Sequence, residues 1–277
     1  ANTIDIPVEG MPSTLITIEV NYNDGLPEVY QLPLGFINQK HEDDYHDIPD
    51  KGIIAKLELD GEDGYLFDSV YSEDFRNVLY TNIKEGNTLK GGRARLNFHH
   101  SENSFDPVSE EVSSKVLNAE QSNTSLIYNN KYFLKLYRKL DNTINPDMEI
   151  THYLTEKTDF ENSPRFVGAI EYEPDTRTNI VLGMMQDLVP NQGDAWDYTK
   201  DALKRFFERV LTKPKEMTVS PVTHNLEPLN YSDLEENMKE LNGIIIPEGI
   251  SLLGQRTAEM HNALAINPGE NDIELEG

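Results

Sequence analysis

The chain has 277 residues, a formal net charge of −25 and a pI near 4.5, and so acidic a surface excludes general binding to nucleic acid or to anionic membranes. It has no cysteine, which excludes disulfides and thiolate metal sites and agrees with a cytoplasmic location. No apolar run approaches the ~18 residues of a membrane span, and no signal peptide is visible. The length predicts about two domains.

The first hundred residues are predicted to be rich in β-structure. "TLITIEVNY" (14–22) alternates apolar and polar side chains, which is typical of a half-buried strand. "NDG" (23–25) then supplies residues that tolerate positive φ, so a hairpin is expected. "SEDFRNVLYTNI" (72–83) has the capping serine and apolar spacing of an amphipathic helix. Further strands are predicted within 28–34, 52–70 and 91–100.

A polar, proline-containing stretch, "SENSFDPVSEE" (101–111), predicts a domain boundary near residue 105. Two strands are expected beyond it, at 125–130 and 131–138, with Asn129 and Asn130 in the left-handed conformation of a tight turn. "NPDMEITHYLTEK" (145–157) predicts a helix that is capped by Asn145 and begins with Pro146.

The remaining elements complete an α+β class. A second strand pair is predicted at 165–174 and 178–189, and helical periodicity starts at Asp197, with Asp194 as the expected N-cap. Amphipathic helices are predicted at 196–213, 231–242 and 249–265.

Residues 121–150 could supply the three parts of a kinase-like phosphate site. Such a site needs a turn of small residues near the phosphates, a strand lysine, and a carboxylate on the following helix that holds the lysine. Here Lys135 lies in an apolar strand and Glu149 in the next helix. The small polar residues are Ser122, Asn123, Thr124 and Ser125. On spacing alone, an outward-facing lysine and a helix-terminal acid remain the favoured interpretation, and neither GxGxxG nor GxxxxGK[ST] is present.

Two other patterns favour ordinary surface roles. "QKHEDDYHDIPD" (39–50) clusters histidines and acids, and a solvated loop is favoured over a metal site there. Arg138 and Lys139 could assist phosphate binding, but charged residues that end a strand are usually solvated.

Long motifs give the chain a resemblance to a known family. "SNTSLIYNNKYFLKLYRKLDNTINPDMEITHYLTE" (122–156), followed by "VPNQGDAWDYT" (189–199), resembles bacterial maltokinase, which also occurs as the C-terminal part of trehalose synthase–maltokinase fusions. "LGQRTAEMHNALA" (253–265) and "VNYNDGLPEVYQLPL" (20–34) match further segments of that family, so the resemblance covers nearly the whole chain.

The resemblance implies a fold similar to aminoglycoside phosphotransferases and eukaryotic-type protein kinases. It implies a cap at 1–105, a small lobe at 106–196 and the start of a helical large lobe at 197–277. The implied reaction transfers phosphate from ATP, with Mg, to maltose, giving maltose 1-phosphate. Ser122–Ser125 would lie in the phosphate-proximal loop, and Lys135, oriented by Glu149, would contact the phosphates. The implied hinge, which meets adenine, contains Gln186, Asp187, Leu188 and Val189.

The sequence departs from this family in one respect. The family's "HGDxH" and "DFE" strings, which carry the catalytic base and a metal ligand, do not occur here. Without them phosphoryl transfer is incomplete, so we expect an N-terminal part of a maltokinase that does not turn over alone. The alternative is a noncatalytic cap or docking module of a trehalose synthase fusion.

Overall fold

The computed structural model describes residues 2–9, 11, 13–39, 48–92, 94–105, 111–119, 122–141, 143–174, 179–212, 231–242 and 245–265. The histidine and acid cluster of residues 41–47 lies outside these ranges. The chain divides into two compact units, with the division between Val189 and Pro190. The class is α+β, as predicted, with two antiparallel sheets in the first unit.

The first unit contains thirteen described strands and two α-helices. The strands are β1 (Asn2–Ile6), β2 (Ser13–Val20), β3 (Glu28–Asn38), β4 (Ile53–Leu59), β5 (Glu62–Asp68), β6 (Thr88–Gly91), β7 (Ala94–His100), β8 (Ser114–Ala119), β9 (Asn123–Tyr128), β10 (Tyr132–Tyr137), β11 (Lys139–Leu140), β12 (Phe166–Pro174) and β13 (Ile180–Asp187). The helices are α1 (Glu73–Glu85) and α2 (Pro146–Lys157).

The strands form one six-stranded and one seven-stranded sheet. The six-stranded sheet has the order β1-β2-β3-β5-β4, with β11 paired to β3. The seven-stranded sheet has the order β6-β7-β12-β13-β10-β9-β8. Sheet membership therefore changes between β5 and β6, because β7 pairs with β12 along residues 94–100 and 168–174. This change falls before the boundary that the polar stretch near residue 105 predicts.

One apolar core joins both sheets and α1. Ile4 and Ile6 come from β1, Leu134 from β10 and Leu182 from β13, and each is at most 2% exposed. Helix α1 begins as its sequence predicts, since the Ser72 hydroxyl accepts a hydrogen bond from the Phe75 N–H at 3.3 Å. One face of the seven-stranded sheet therefore packs in this core, and α2 lies on the other face.

The second unit contains helices α3 (Ala195–Thr212), α4 (Glu236–Asn242) and α5 (Ile245–Leu264). Asp194 caps α3 as predicted, because its carboxylate accepts from the Asp197 N–H at 2.7 Å. No helix in the described ranges is both long and apolar enough to cross a membrane.

The pairing of β11 with β3 predicts an acid-sensitive contact. Glu28 of β3 accepts hydrogen bonds from Lys139 at 2.6 Å, from Tyr30 at 2.5 Å and from Tyr22 at 2.8 Å. These bonds, that of Lys139 first, lower the pKa of Glu28 to about 2. A carboxyl with a lowered folded-state pKa stabilises the fold above its unfolded pKa and loses that effect as the pH falls through the folded value.

We therefore expect the melting temperature to fall between about pH 5 and pH 2, and to fall less steeply in Glu28→Gln than in the wild type. Thermal unfolding followed by circular dichroism across this range measures the slope. Glu58→Gln removes the same charge from an exposed position on β4 and should keep the wild-type slope. An unchanged slope in Glu28→Gln would contradict the prediction.

Candidate functional site

A pocket of about 440 Å³ lies on the face of the seven-stranded sheet that α2 covers. Its volume is in the range of small-molecule sites. Three adjacent strands, β9, β10 and β13, supply its floor, and the first turns of α2 supply a wall. The lining residues are Asn123, Ser125, Phe133, Lys135, Asp147, Thr151, Met184 and Gln186.

Strand register explains why these floor residues meet. Lys135 stands opposite Ser125 on β9 and opposite Met184 on β13. Phe133, two residues earlier on the same face, stands opposite Gln186. Because side chains alternate across a strand, each of these rows points to the α2 side of the sheet.

The turn between β9 and β10 sets that register. Asn129 and Asn130 have φ values of 52° and 49°, so both adopt the left-handed conformation that the sequence predicts. Two such residues form the turn that matches the twist of a hairpin. If the pairing of β9 with β10 shifted by one residue, the Lys135 side chain would turn to the core face. The conformation of the turn therefore keeps Lys135 in the pocket.

Helix α2 brings its first turn over Lys135. The Asn145 side chain accepts from the Met148 N–H at 3.2 Å, and Pro146 opens the helix. Asp147 and Thr151 are four residues apart and share the face towards the pocket. Start, cap and end of this helix agree with the sequence prediction.

The carboxylate that pairs with Lys135 is Asp147 and not the predicted Glu149. The Lys135 ammonium donates to Asp147 Oδ2 in an ion pair. Glu149 is two residues further along, about 200° around the helix axis, and it is not among the pocket residues. Both acids occur in the first turn, so only the rotational position of the helix separates them.

Tyr137 is a site residue that sequence reasoning missed. Lys135 Nζ lies 5.2 Å from the centre of the Tyr137 ring, within the range of a cation–π contact. The Tyr137 hydroxyl donates to Asp147 Oδ2 at 3.4 Å. Burial first, and the Asp147 charge second, raise the pKa of Tyr137. Its spacing from Lys135 on one strand face was the available signal.

The predicted phosphate-proximal residues divide between two faces. Asn123, Thr124 and Ser125 lie in strand β9 and not in a loop. Asn123 and Ser125 line the pocket, whereas Thr124 is fully buried on the opposite face. The Thr124 hydroxyl accepts from Arg138 Nε at 2.8 Å. Ser122, just before the strand, accepts the Arg138 N–H through its carbonyl at 2.7 Å.

Arg138 is therefore neither a phosphate ligand nor a solvated strand end. It is 8% exposed and donates to Asp68 Oδ2 at 2.6 Å. Lys139, the next residue, pairs with Glu28 at 2.6 Å. Both basic side chains are held by acids of the six-stranded sheet.

The predicted hinge residues differ in their position. Gln186 lines the pocket. The Asp187 N–H donates to the Arg165 carbonyl at 2.9 Å, and the Leu188 N–H donates to the Lys131 carbonyl at 2.7 Å. A hydrogen bond from either N–H to a base would have to replace a bond within the chain. Val189 ends the first unit and is 51% exposed.

The donor set of the pocket is suited to phosphate oxygens. Lys135, Ser125 and Asn123 can donate hydrogen bonds to phosphate oxygens, and Phe133 provides apolar surface beside them. Within the described ranges, no group of three or more histidine, cysteine, aspartate or glutamate side chains is placed to hold a metal ion. The predicted Mg requirement stays a prediction.

The Lys135–Asp147 ion pair allows a direct test of which acid, Asp147 or Glu149, holds Lys135 for ligand binding. On the ATP-binding role that the sequence resemblance implies, Asp147→Asn is expected to weaken ATP binding about 5- to 10-fold, because a neutral amide holds the ammonium less firmly. Glu149→Gln removes the same charge from the same turn and should leave affinity unchanged. Isothermal titration of each variant with ATP measures this. A larger loss of ATP affinity in Glu149→Gln than in Asp147→Asn would contradict this prediction.

Solved structures of glucosamine kinase are similar to the chain at low sequence identity. No family model matches the chain. A structure of glucosamine kinase in complex with glucosamine, ADP and inorganic phosphate is 16% identical, with a TM-score of 0.47, over 96% of this chain and 46% of that chain. Glucosamine kinase in crystal form A is 15% identical, with a TM-score of 0.43, over 94% and 47%. The chain thus spans less than half the length of these kinases.

Proposed function

We propose that the chain is the nucleotide-side part of an ATP-dependent phosphotransferase, and that the pocket over β9, β10 and β13 binds ATP. The observation that carries this proposal is the ion pair of Lys135, a strand lysine inside the pocket, with Asp147 from the helix that follows. In protein kinases a strand lysine held by a helix carboxylate contacts the nucleotide phosphates.

The distribution of polarity within the pocket supports the orientation of the nucleotide. Asn123, Ser125 and Lys135 form the polar side, and Phe133 lies one row further towards the turn of the hairpin. We propose that the phosphates lie against the polar side and the base against Phe133. An ammonium has three donors, so Lys135 can hold Asp147 and phosphate oxygens together.

Lys135, Asp147 and Tyr137 would then have binding or orienting roles. Lys135 would place positive charge beside the phosphates, and Asp147 and Tyr137 would fix its position. Phosphoryl transfer depends mainly on such positioning and on charge stabilisation. Mg, when bound with ATP, would neutralise phosphate charge. The general base belongs to a second lobe in this proposal, since Asp147 is engaged by Lys135.

For the acceptor we propose the anomeric hydroxyl of maltose. The bond between the γ-phosphorus and the bridging oxygen of ATP would break, and a bond from that phosphorus to the sugar oxygen would form. The hydroxyl proton would pass to the base. The products are ADP and maltose 1-phosphate. The support for maltose is the sequence resemblance, above all "VPNQGDAWDYT" at 189–199, and trehalose synthase is the proposed partner on the same ground.

Two experiments test these proposals in order. Titration of the 277-residue chain with ATP in MgCl₂ should give saturable 1:1 binding; a chain that binds no ATP would refute the nucleotide site and favour the noncatalytic docking module. The polypeptide encoded by the complete gene should then form ADP from ATP only when a sugar is added. Maltose should be the better acceptor than glucosamine or glucose, and equal rates with all three sugars would refute the maltose assignment.

A further inference from the structure

Beside the pocket, the pairing between β10 and β13 ends, and the chain passes from β10 into the six-stranded sheet. The last described pair between β10 and β13 joins Leu136 to Gly183. Beyond it, Lys139 and Leu140 pair with β3 in the other sheet. Arg138 is the residue at which the chain crosses over. The strand that carries Lys135 thus ends in a connection to the six-stranded sheet.

Gln31 of β3 lies where β10 and β13 separate. Its side-chain Nε2 donates to the Tyr137 carbonyl at 2.7 Å and to the Leu182 carbonyl at 2.6 Å. Its own N–H donates to the Arg138 carbonyl at 2.9 Å. Gln31 is only 3% exposed, so one amide group satisfies two buried carbonyls where the β10–β13 ladder ends. It therefore ties two pocket strands to β3.

Arg138 ties the third pocket strand to the same sheet. Its guanidinium donates to Thr124 on β9 at 2.8 Å and to Asp68 at the end of β5 at 2.6 Å. Thr124 lies between Asn123 and Ser125, the two β9 residues that line the pocket. Burial raises the pKa of Asp68 and the Arg138 charge opposes this, so loss of the arginine would leave a buried acid without its cation.

We propose that Gln31 and Arg138 are positioning residues for nucleotide binding. Neither touches the pocket; they act through β9, β10 and β13, whose relative placement sets the distances among Asn123, Ser125, Lys135 and Met184. Ligand sites lose affinity or rate when supporting groups allow shifts of about 1 Å. The six-stranded sheet is then part of the binding apparatus, and not only a neighbouring module. This inference rests on the proposed ATP site.

The test compares ATP affinity with thermal stability in matched variants of the 277-residue chain. Gln31→Met keeps the side-chain length and removes both donors. Arg138→Lys keeps the charge and removes the Nε donor to Thr124. The control is Ser13→Ala, which removes the buried hydrogen bond that the Ser69 hydroxyl, just after β5, donates to the Ser13 hydroxyl of β2 at 3.0 Å.

At a temperature where circular dichroism shows every variant folded, Gln31→Met and Arg138→Lys should weaken ATP binding about 5-fold or more. Ser13→Ala should lower the melting temperature and leave affinity within about 2-fold of the wild type. Unchanged affinity in both test variants, with a lowered melting temperature, would show a purely structural role and overturn the proposal. Thr124→Val, which removes only the acceptor of Arg138 Nε, replaces Arg138→Lys if that variant does not fold.

Amide hydrogen exchange separates this proposal from the proposed function. In Gln31→Met, amides of β10 and β13 beside the pocket should exchange about 10-fold faster, while those of β4 and β5 keep their wild-type rates. This holds even if the wild-type chain binds no ATP, a result that would refute the nucleotide site alone. Uniform acceleration, or none, would overturn the positioning role.

Discussion

Replacement of Lys135 by methionine is expected to weaken ATP binding about 10- to 100-fold, the loss that follows when a charged hydrogen bond to phosphate is removed. Methionine keeps most of the length of the side chain and its apolar stem. Because the Lys135 side chain is 31% exposed, the fold should tolerate the change. Isothermal titration with ATP measures the affinity, and thermal unfolding confirms that the variant is folded.

Lys115→Met is the matched control for this prediction. Lys115 is an exposed lysine on β8, the strand next to β9 in the same sheet, and it does not line the pocket. The change removes the same charge from the same sheet. Equal losses in the two variants would mean that the general charge of the chain, and not the position of Lys135, governs affinity.

The largest effect on stability is expected from Leu134→Ala. Leu134 is fully buried in the core that joins the two sheets. A truncation of this kind removes apolar contacts and leaves a cavity, and typically costs about 2–5 kcal/mol. Urea denaturation at constant m-value measures the loss of unfolding free energy. ATP affinity of the folded fraction should fall less than in Phe133→Ala.

At the neighbouring position, Phe133→Ala is expected to reduce ATP affinity while changing stability little. Phe133 lies on the pocket face of the same strand, so its loss should weaken ATP binding about 5-fold or more, with a stability change below about 1 kcal/mol. Together the two variants test the assignment of faces along β10. If Phe133→Ala cost as much stability as Leu134→Ala and left ATP affinity unchanged, β10 would not present one face to the core and one to a binding site.

The parts of the site that sequence predicted correctly depend on neighbouring residues. Asn129 and Asn130 tolerate positive φ, and this local property places the hairpin turn. Asn145 and Pro146 start α2 because a side chain caps the first N–H groups and a proline lacks one. The alternation of Phe133, Lys135 and Tyr137 with Leu134 and Leu136 defines two faces of β10.

The errors concern residues that are distant in sequence or equivalent in local preference. Asp147 and Glu149 are both acids in the first turn of α2, where the helix dipole favours either one. Their choice as partner of Lys135 depends on how α2 rotates against the sheet. Composition groups Thr124 with Asn123 and Ser125, but strand alternation places its side chain on the opposite face.

The partners of Arg138 and Gln31 could not be predicted from sequence for a different reason. Its partner Asp68 is 70 residues away in the chain, and Gln31 donates to carbonyls 106 and 151 residues away. Hydrophobic periodicity gives the face of a strand, but it does not give the strand's partner in another sheet. The buried network could therefore not be derived from any single segment.

The sequence by itself determined the α+β class, the β9–β10 hairpin, the extent of α2 and the presence of one lysine in the strand after the hairpin turn, because caps, turns and alternation act over a few residues. Tertiary structure alone decided that Asp147 holds Lys135, that β6 and β7 join the sheet of the pocket, and that Gln31 and Arg138 connect that sheet to β3 and β5. These are contacts between segments far apart in the chain, and burial of one common core sets them.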